Sequence, residues 1–486
     1  MTEQTRLSPR TVQSYIDETP AWADGTPVAA APLSPMQLKI WTLATAGKFF
    51  EGMVVFMTGV AMPLMVAQLS LGATEKGVIG AAVLGGILLG AVGLGGLADR
   101  WGRRRLFIIE LIIFVGFLIV LTFAQSFWLI AACLLGMGIA LGCDYPTAHL
   151  VISESLPSSA RGRRVLGAFA FQAVGALVGT LVGYLILSNT ETLDAWRYMY
   201  ATAIVPALVV IIYRLSMTES PHWLLATGRH DEAQTELQAL LDREPPYPSE
   251  VVLNPLEAQG EDSKQPNFGA LFSKKHRKAT ALASVPWFLQ DLGTYGIGIF
   301  TPTILASAFG AKTEHPRSVA DLLANDILAA KGAAFLDVLL VLGILVAILL
   351  VERLGRIKLQ VVGFIGCALG LSLAAWSLTL TGHVAIVVLF VGFMVFNFMT
   401  NLGPNAQTYL IAGEVFPTSV RGRGAGFAAS FAKIGAVLTA FLFPILLADW
   451  GTQVVLMLLV VTSLLGAVLT WVWRIETKGA SLEDIQ

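Results

Sequence analysis

"ESLPSSARGR" (Glu154–Arg163) and "EVFPTSVRGR" (Glu414–Arg423) lie 260 residues apart and share Glu, Pro, Ser, Arg, Gly and Arg in register. A second pair, "DRWGR" (Asp99–Arg103) and "ERLGR" (Glu352–Arg356), repeats at an offset of 253. Two matches at similar offsets indicate a chain built twice on one plan. Of its 486 residues 55% are hydrophobic and 13% charged, whereas a soluble domain carries about 25% charged residues. Apolar runs of about 20 residues, the length that crosses a bilayer's hydrocarbon, recur at 40–68, 77–98, 105–124, 127–150, 165–188, 195–215, 279–304, 327–351, 357–379, 382–410, 424–448 and 451–474. Six precede and six follow a polar stretch. The organisation expected is a segment 1–39, a six-helix bundle 40–215, a central loop 216–278, a second bundle 279–474 and a tail 475–486. This is an all-α integral membrane protein with two pseudo-symmetric halves. Parallel repeats of this kind place a solute site between the halves near mid-membrane.

Of the 32 Lys and Arg, 25 fall in the termini and loops of one side, five on the other, and Lys48 and Lys433 lie within spans. Basic loops stay in the cytoplasm, so both termini are expected there, in a multi-pass protein of the plasma (inner) membrane. The N-terminus is polar, without a basic, apolar and small-residue signal, so no cleavage is expected. Cys133, Cys143 and Cys367 share no metal-like or CxxC spacing and read as packing residues. No Ser/His/Asp set, metal cluster or nucleotide loop is present, so neither an enzyme nor a cofactor is expected. The expected partners are a small solute, protons and lipid, without nucleic acid, for a monomeric chain.

In the central loop, Ser220 can cap and Pro221 can start a helix at "TESPHWLL". "HDEAQTELQALL" then has helical periodicity, and Pro245, Pro246, Pro248, Pro255 and Pro266 break regular structure beyond it. "SKKHRK" (Ser273–Lys278) reads as a basic anchor. Glycines four apart (Gly86/Gly90; Gly175/Gly179/Gly183) read as close-packing devices between helices.

"GGLADRWGRRR" (Gly95–Arg105) resembles the loop 2–3 signature of the major facilitator superfamily. Gly95 and Gly96 suit close helix approach. Asp99 is placed to face a helix N-terminus, and Arg103 can fork onto a carboxylate. The resemblance implies that this cluster closes the cytoplasmic side. Ion pairs Glu154–Arg161 and Glu414–Arg421 are expected beneath the two halves.

Deep polar residues are costly in a membrane and mark function. In the first half they are Lys48, Glu51, Asp144, Tyr145 and Gln172. In the second they are Gln290, Asp291, Tyr295, Asn397, Asn401, Asn405 and Lys433. Trp287, Asp291 and Tyr295, four apart, climb one helix face with a drift of about 40° per step. Lys433 has no acid near it in sequence and needs a partner from another helix or a bound anion. Lys48 reads as snorkelling toward the cytoplasm, and Glu110, His149 and Asp337 as structural groups.

"GCDYPTAHLVISE" (Gly142–Glu154), "WFLQDLGTYG" (Trp287–Gly296), "NLGPNAQTYLIAGEVFPTSVRGRGAG" (Asn401–Gly426) and "FAKIGA" (Phe431–Ala436) resemble the phosphate:proton symporters of this superfamily. That resemblance implies a phosphate site between the halves. Its ligands, carried onto this chain, are Tyr145, Gln172, Trp287, Asp291, Tyr295, Asn405 and Lys433. Two departures stand out: the family's first span commonly has two acids three apart, and here Glu51 is kept while Val54 holds the second place; "GGDYP" is "GCDYP". "TESPHWLL" and "GEVFPTSVRGRG" resemble sugar porters, yet their "QQxxGxN" signature is absent. An anion cannot easily enter beside three charged acids, so one of Glu51, Asp144 and Asp291 is expected to be protonated when it binds. Glu51, Asp144 and Asp291 are the expected proton-coupling acids: Glu51 and Asp144 transfer the proton, and Asp291, protonated, donates a hydrogen bond to the anion. The expectation is alternating-access, proton-coupled import of phosphate or a similar oxyanion. The alternative cargo is an organic acid, sugar or polyol. A non-transporting sensor would want a long cytoplasmic domain or tail.

Overall fold

The computed structural model describes residues 10–18, 33–94, 97–242, 251–253, 268–309, 319–417 and 420–478. The spanning helices are α1 (Pro35–Leu69), α2 (Ala73–Leu94), α3 (Arg103–Phe123), α4 (Phe127–Ser155), α5 (Ser158–Asn189) and α6 (Ala195–Arg214, eased between its Ala195–Ala201 and Ile204–Arg214 turns). The second half has α7 (Arg277–Phe309), α8 (Val319–Leu354), α9 (Arg356–Ser377) and α10 (Gly382–Leu402 continued by Pro404–Glu414). A final stretch, Arg421–Val472, is interrupted at Gly451, where φ is 78° and ψ 163°. Its two parts, 421–450 and 452–472, are α11 and α12. Among the described residues, ten stretches are apolar and long enough to cross a membrane. Dividing the last at Gly451 and adding the 33-residue α7, which carries the polar column, accounts for the twelve spans read from sequence.

The helices begin and meet where the sequence provides for it. Ser34 and Gln37 form a reciprocal capping box ahead of α1, each bond 2.9 Å, with Pro35 at the first position. Gly52 of α1 lies against α5 so closely that an added Cβ would sit 2.0 Å from the Gln172 carbonyl oxygen. Gly175 and Gly179 of α5 are pressed equally tightly against the Phe49 and Met53 carbonyls, and Gly86 and Gly90 of α2 against those of Leu135 and Ile139 on α4. At these four glycines the spacing reports backbone contact, whereas Gly183 meets the Val60 side chain. Between the halves, Gly59 of α1 meets the Ile299 carbonyl of α7, and Gly77 of α2 meets that of Phe441 on α11.

Residues 10–18, the described parts of the central loop and residues 474–478 gather at one end of the bundle. Thr11 caps a short helix, Val12–Asp17, whose Tyr15 hydroxyl exchanges hydrogen bonds with Val252 and whose Asp17 accepts from the Ser158 amide and hydroxyl at the start of α5. Ser220 caps the helix Pro221–Ala226 through the Trp223 amide, and His230–Leu240 is helical, as the pattern predicted. The five loop prolines, and Gly95 and Gly96, lie outside the described residues.

Candidate substrate site and gate

Near mid-membrane, Glu51 of α1 faces Lys433 of α11 across the two halves, 3.4 Å apart. Lys433 Nζ also donates to Tyr295 Oη at 2.5 Å and pairs with Asp291 Oδ2 at 3.6 Å, an ion pair without a hydrogen bond. Glu51 Oε1 further accepts from Tyr295 Oη and Gln172 Nε2, each at 3.1 Å, and Gln172 Nε2 reaches Tyr295 Oη at 3.1 Å. On its other oxygen Glu51 accepts from Lys48 Nζ at 2.7 Å. All six of these side chains are buried. Two acids and two ammoniums balance in charge, which is what burial of ions requires. Lys433 finds the acid partners its sequence position called for, on α1 and α7. Lys48 does not snorkel: with 6% of its surface exposed it is the second cation on Glu51.

Trp287 is buried one turn below Asp291 and packs edge-on against Tyr409, with ring centroids 6.0 Å apart. Tyr409 stacks in turn on Phe169 of α5 at 4.8 Å, so an aromatic layer joins the halves between the charged cluster and the basic-loop end. Asn405 lies in an amide chain rather than on the ions: Gln290 donates to it at 3.1 Å, and it donates to Asn401 at 2.6 Å. The side chain of Tyr145 lies outside what is described.

Asp144 departs from expectation. It does not join Lys433; its Oδ1 accepts from Arg214 at 3.1 Å, and Arg214 also donates to Glu110 at 2.9 Å and to the Leu43 and Phe107 carbonyls. Arg214, at the end of α6, is fully buried. It folds back over the Phe107 ring and ties α1, α3, α4 and α6 together. Asp144 therefore has a resident counter-ion of its own.

The gate contains a pairing the sequence reading did not name. Arg103, at the start of α3, forks onto Glu154 of α4 through Nε (3.3 Å) and Nη2 (3.1 Å); the side chains of Arg161, expected as the Glu154 partner, and of Asp99 lie outside what is described. Ser220 donates to the same carboxylate at 2.5 Å, while Glu219 accepts from the Arg103 and Arg104 amides at 2.9 and 3.1 Å. The second half repeats this. Arg356 forks onto Glu414 at 2.9 and 3.0 Å, Thr477 donates to Glu414 at 2.6 Å, and Glu476 accepts from the Arg356 and Ile357 amides. Arg421 donates to the Phe416 carbonyl at 3.0 Å. Glu219-Ser220 and Glu476-Thr477 lie 257 residues apart, between the two offsets already noted. That third repeat was the available signal for these residues.

Residues 40–486 match the family described as "Sugar (and other) transporter". The chain belongs to that family. It is 30% identical over 457 residues to the inner membrane metabolite transport protein YgcS of Escherichia coli K12, covering 93% of this chain and 94% of the relative. It is 27% identical over 522 residues to a putative inorganic phosphate transporter of Schizosaccharomyces pombe, covering 93% and 88%. The glucose transporter GlcP of Staphylococcus epidermidis is 26% identical over 426 residues, covering 86% and 89%. A partially occluded inward-open structure of the xylose transporter XylE from E. coli superposes with a TM-score of 0.74 at 19% identity, over 92% of this chain and 100% of that one. The fold is thus the major facilitator fold, and the protein is a membrane transporter of small solutes rather than an enzyme. In this transporter the Glu51–Lys433 contact joins residues 382 apart in sequence, a link between halves that no local pattern records.

Proposed function

We propose that the transporter imports inorganic phosphate, or a similar small oxyanion, together with protons, by alternating access across the plasma membrane with both termini in the cytoplasm. One observation carries the reading: a single carboxylate, Glu51, is held between two buried ammoniums from opposite halves. A carboxylate there fills the place an oxyanion would take. Protonation of Glu51 adds an Oε–H, removes its charge and frees Lys48 and Lys433 for the entering anion. The Tyr295 hydroxyl and Gln172 amide, now on Glu51, are donors suited to oxygen-rich cargo. Asp291, protonated, donates to the anion as Lys433 turns toward it. Trp287 walls the site, and Tyr145 and Asn405 complete the set implied by the phosphate symporters. When the cargo leaves on the cytoplasmic side, Glu51 releases its proton to water and recovers both lysines.

Asp144 serves as a second relay whose proton exchanges against Arg214. The Arg103–Glu154 and Arg356–Glu414 forks, with Asp99, Arg161 and Arg421 nearby in sequence, hold the cytoplasmic side shut between cycles.

A second reading, an organic acid as cargo, is favoured by the Lys48–Glu51–Lys433 arrangement: a carboxylate is the group already seated between the two ammoniums, and Val54 stands where the phosphate family carries its second acid. Uptake of radiolabelled phosphate into proteoliposomes, challenged with unlabelled organic acids, sugars and polyols, separates the two. Phosphate uptake unaffected by organic acids supports the first reading. Absence of phosphate uptake, with uptake of a labelled organic acid, replaces it with the second.

A further inference from the structure

Asp337, near the middle of α8, is buried, and its Oδ2 accepts from Thr180 Oγ1 of α5 at 2.8 Å. Donor and acceptor belong to different halves, so this hydrogen bond joins surfaces that separate when the halves rock. Asp326 precedes it by eleven residues, about three turns and so on the same helix face. Asp326 is 2% exposed, and neither of its carboxylate oxygens has a hydrogen-bond partner. Between the two acids that face carries Ala330 and Ala333, both buried. α8 starts at the end away from the basic loops, so the pair runs from that surface toward mid-membrane.

The helices packed against α8 carry several charged or titratable groups. α1 offers Lys48 and Glu51, and α7 offers Asp291 and Tyr295, all engaged at the substrate site. The charged groups of α5, α9 and α10 sit toward their ends, as at Arg164, Arg356 and Glu414; mid-α9 carries only the buried Cys367 thiol, which donates to the Phe396 carbonyl at 3.9 Å, and Lys331 of α8 itself is exposed. Among the described residues none is paired with Asp337. A carboxylate buried with one hydroxyl and no cation is poorly compensated when charged. It is well suited to gaining and losing a proton, because no ion pair must break. Thr180 serves both states: its hydroxyl donates to a carboxylate and accepts from a carboxylic acid.

We propose that Asp337 is a further proton carrier of the transport cycle, loaded past Asp326 from the outer face and discharged when the Thr180–Asp337 bond opens. The inference rests on the proton-driven reading above but concerns an acid outside the substrate site. Loading forms an Oδ–H bond with a proton from external hydronium, leaving water. Discharge breaks that bond and gives the proton to cytoplasmic water, with no change of oxidation state.

Asp337→Asn keeps the volume and an acceptor for Thr180, so the variant is expected to fold. Infrared spectra of the purified protein in lipid, recorded from mildly acidic to mildly alkaline pH, test the proton directly. A protonated-carboxyl band that fades as pH rises, vanishes in Asp337→Asn and shifts in Thr180→Val is expected. Spectra unchanged by Asp337→Asn, or an Asp337 band indifferent to pH, overturn the proposal. In vesicles with an inward proton gradient, Asp337→Asn should accumulate phosphate only to passive equilibration while phosphate exchange without a gradient persists. Full gradient-driven accumulation by this variant also overturns it. If the unaltered protein moves no phosphate, the phosphate reading fails by itself and the infrared result still decides Asp337.

Discussion

Gly52→Ala is expected to damage the substrate site without touching a charged group. The added Cβ would lie 2.0 Å from the Gln172 carbonyl oxygen and 2.9 Å from both the Gln172 carbonyl carbon and the Ala176 amide nitrogen. These are backbone atoms, so no side-chain rotation relieves the clash, and α1 and α5 must part by about 1 Å near this level. Gln172 rides on the displaced segment. Its 3.1 Å hydrogen bond to Glu51 then lengthens to about 4 Å, past the range in which a hydrogen bond survives. Overpacking of this kind costs about 1–3 kcal/mol of stability, and a misplacement of about 1 Å at a binding centre can cost on the order of 100-fold in rate. Gly116→Ala is the control, because nothing lies within 4 Å of its Cβ position. Thermal unfolding in lipid and initial uptake rates of the two variants give the comparison. Near-normal uptake in Gly52→Ala, matching Gly116→Ala, would refute the claim that α1–α5 contact sets the Gln172–Glu51 geometry.

Other perturbations follow from single contacts. Arg214→Met strips the counter-ion from Glu110 and Asp144 and should lower stability by about 3–5 kcal/mol; adding Glu110→Gln and Asp144→Asn should recover most of it, both read by thermal unfolding. Arg103→Lys and Arg356→Lys each lose a two-pronged fork and should raise labelling of a cysteine placed just above the gate, measured by gel shift, with the double variant raising it further. At the other end of the bundle, hydrogen bonds from Gln68 and then Arg197 hold the Asp194 carboxyl below its usual range. Its stabilisation is therefore present above the ordinary carboxylate value, about 4, and fades as pH falls through the lower folded value. Acid titration of unfolding temperature should show this component, and Asp194→Asn should remove it.

The sequence was most legible where physics is local. Span length, apolar composition and the "ESLPSSARGR"/"EVFPTSVRGR" repeat led to two six-helix halves, and Ser220 and Pro221 announced their helix start. The four-residue glycine spacings announced backbone contact, which Gly86, Gly90, Gly175 and Gly179 make. Pairings between helices were harder, because periodicity says which face a residue occupies and not which helix meets it. Lys433 visibly lacked an acid, yet nothing in its neighbourhood pointed to Glu51. Lys48 was misread because a lysine near a span end usually reaches for water, whereas here Glu51 three residues on holds it inside. Glu154 was matched only to Arg161, seven residues on, and the fold also brings Arg103 to it from the start of α3.

Whether protonation at a site shared by both halves drives anion uptake is tested most directly by the Asp291→Asn variant. Radiolabelled phosphate uptake into proteoliposomes should accumulate against its gradient when protons are imposed inward, and an uncoupler should collapse it. Asp291→Asn should fold and still exchange phosphate across vesicles but should accumulate none under the proton gradient. Equal gradient-driven accumulation by the variant and the unaltered protein would contradict the claim.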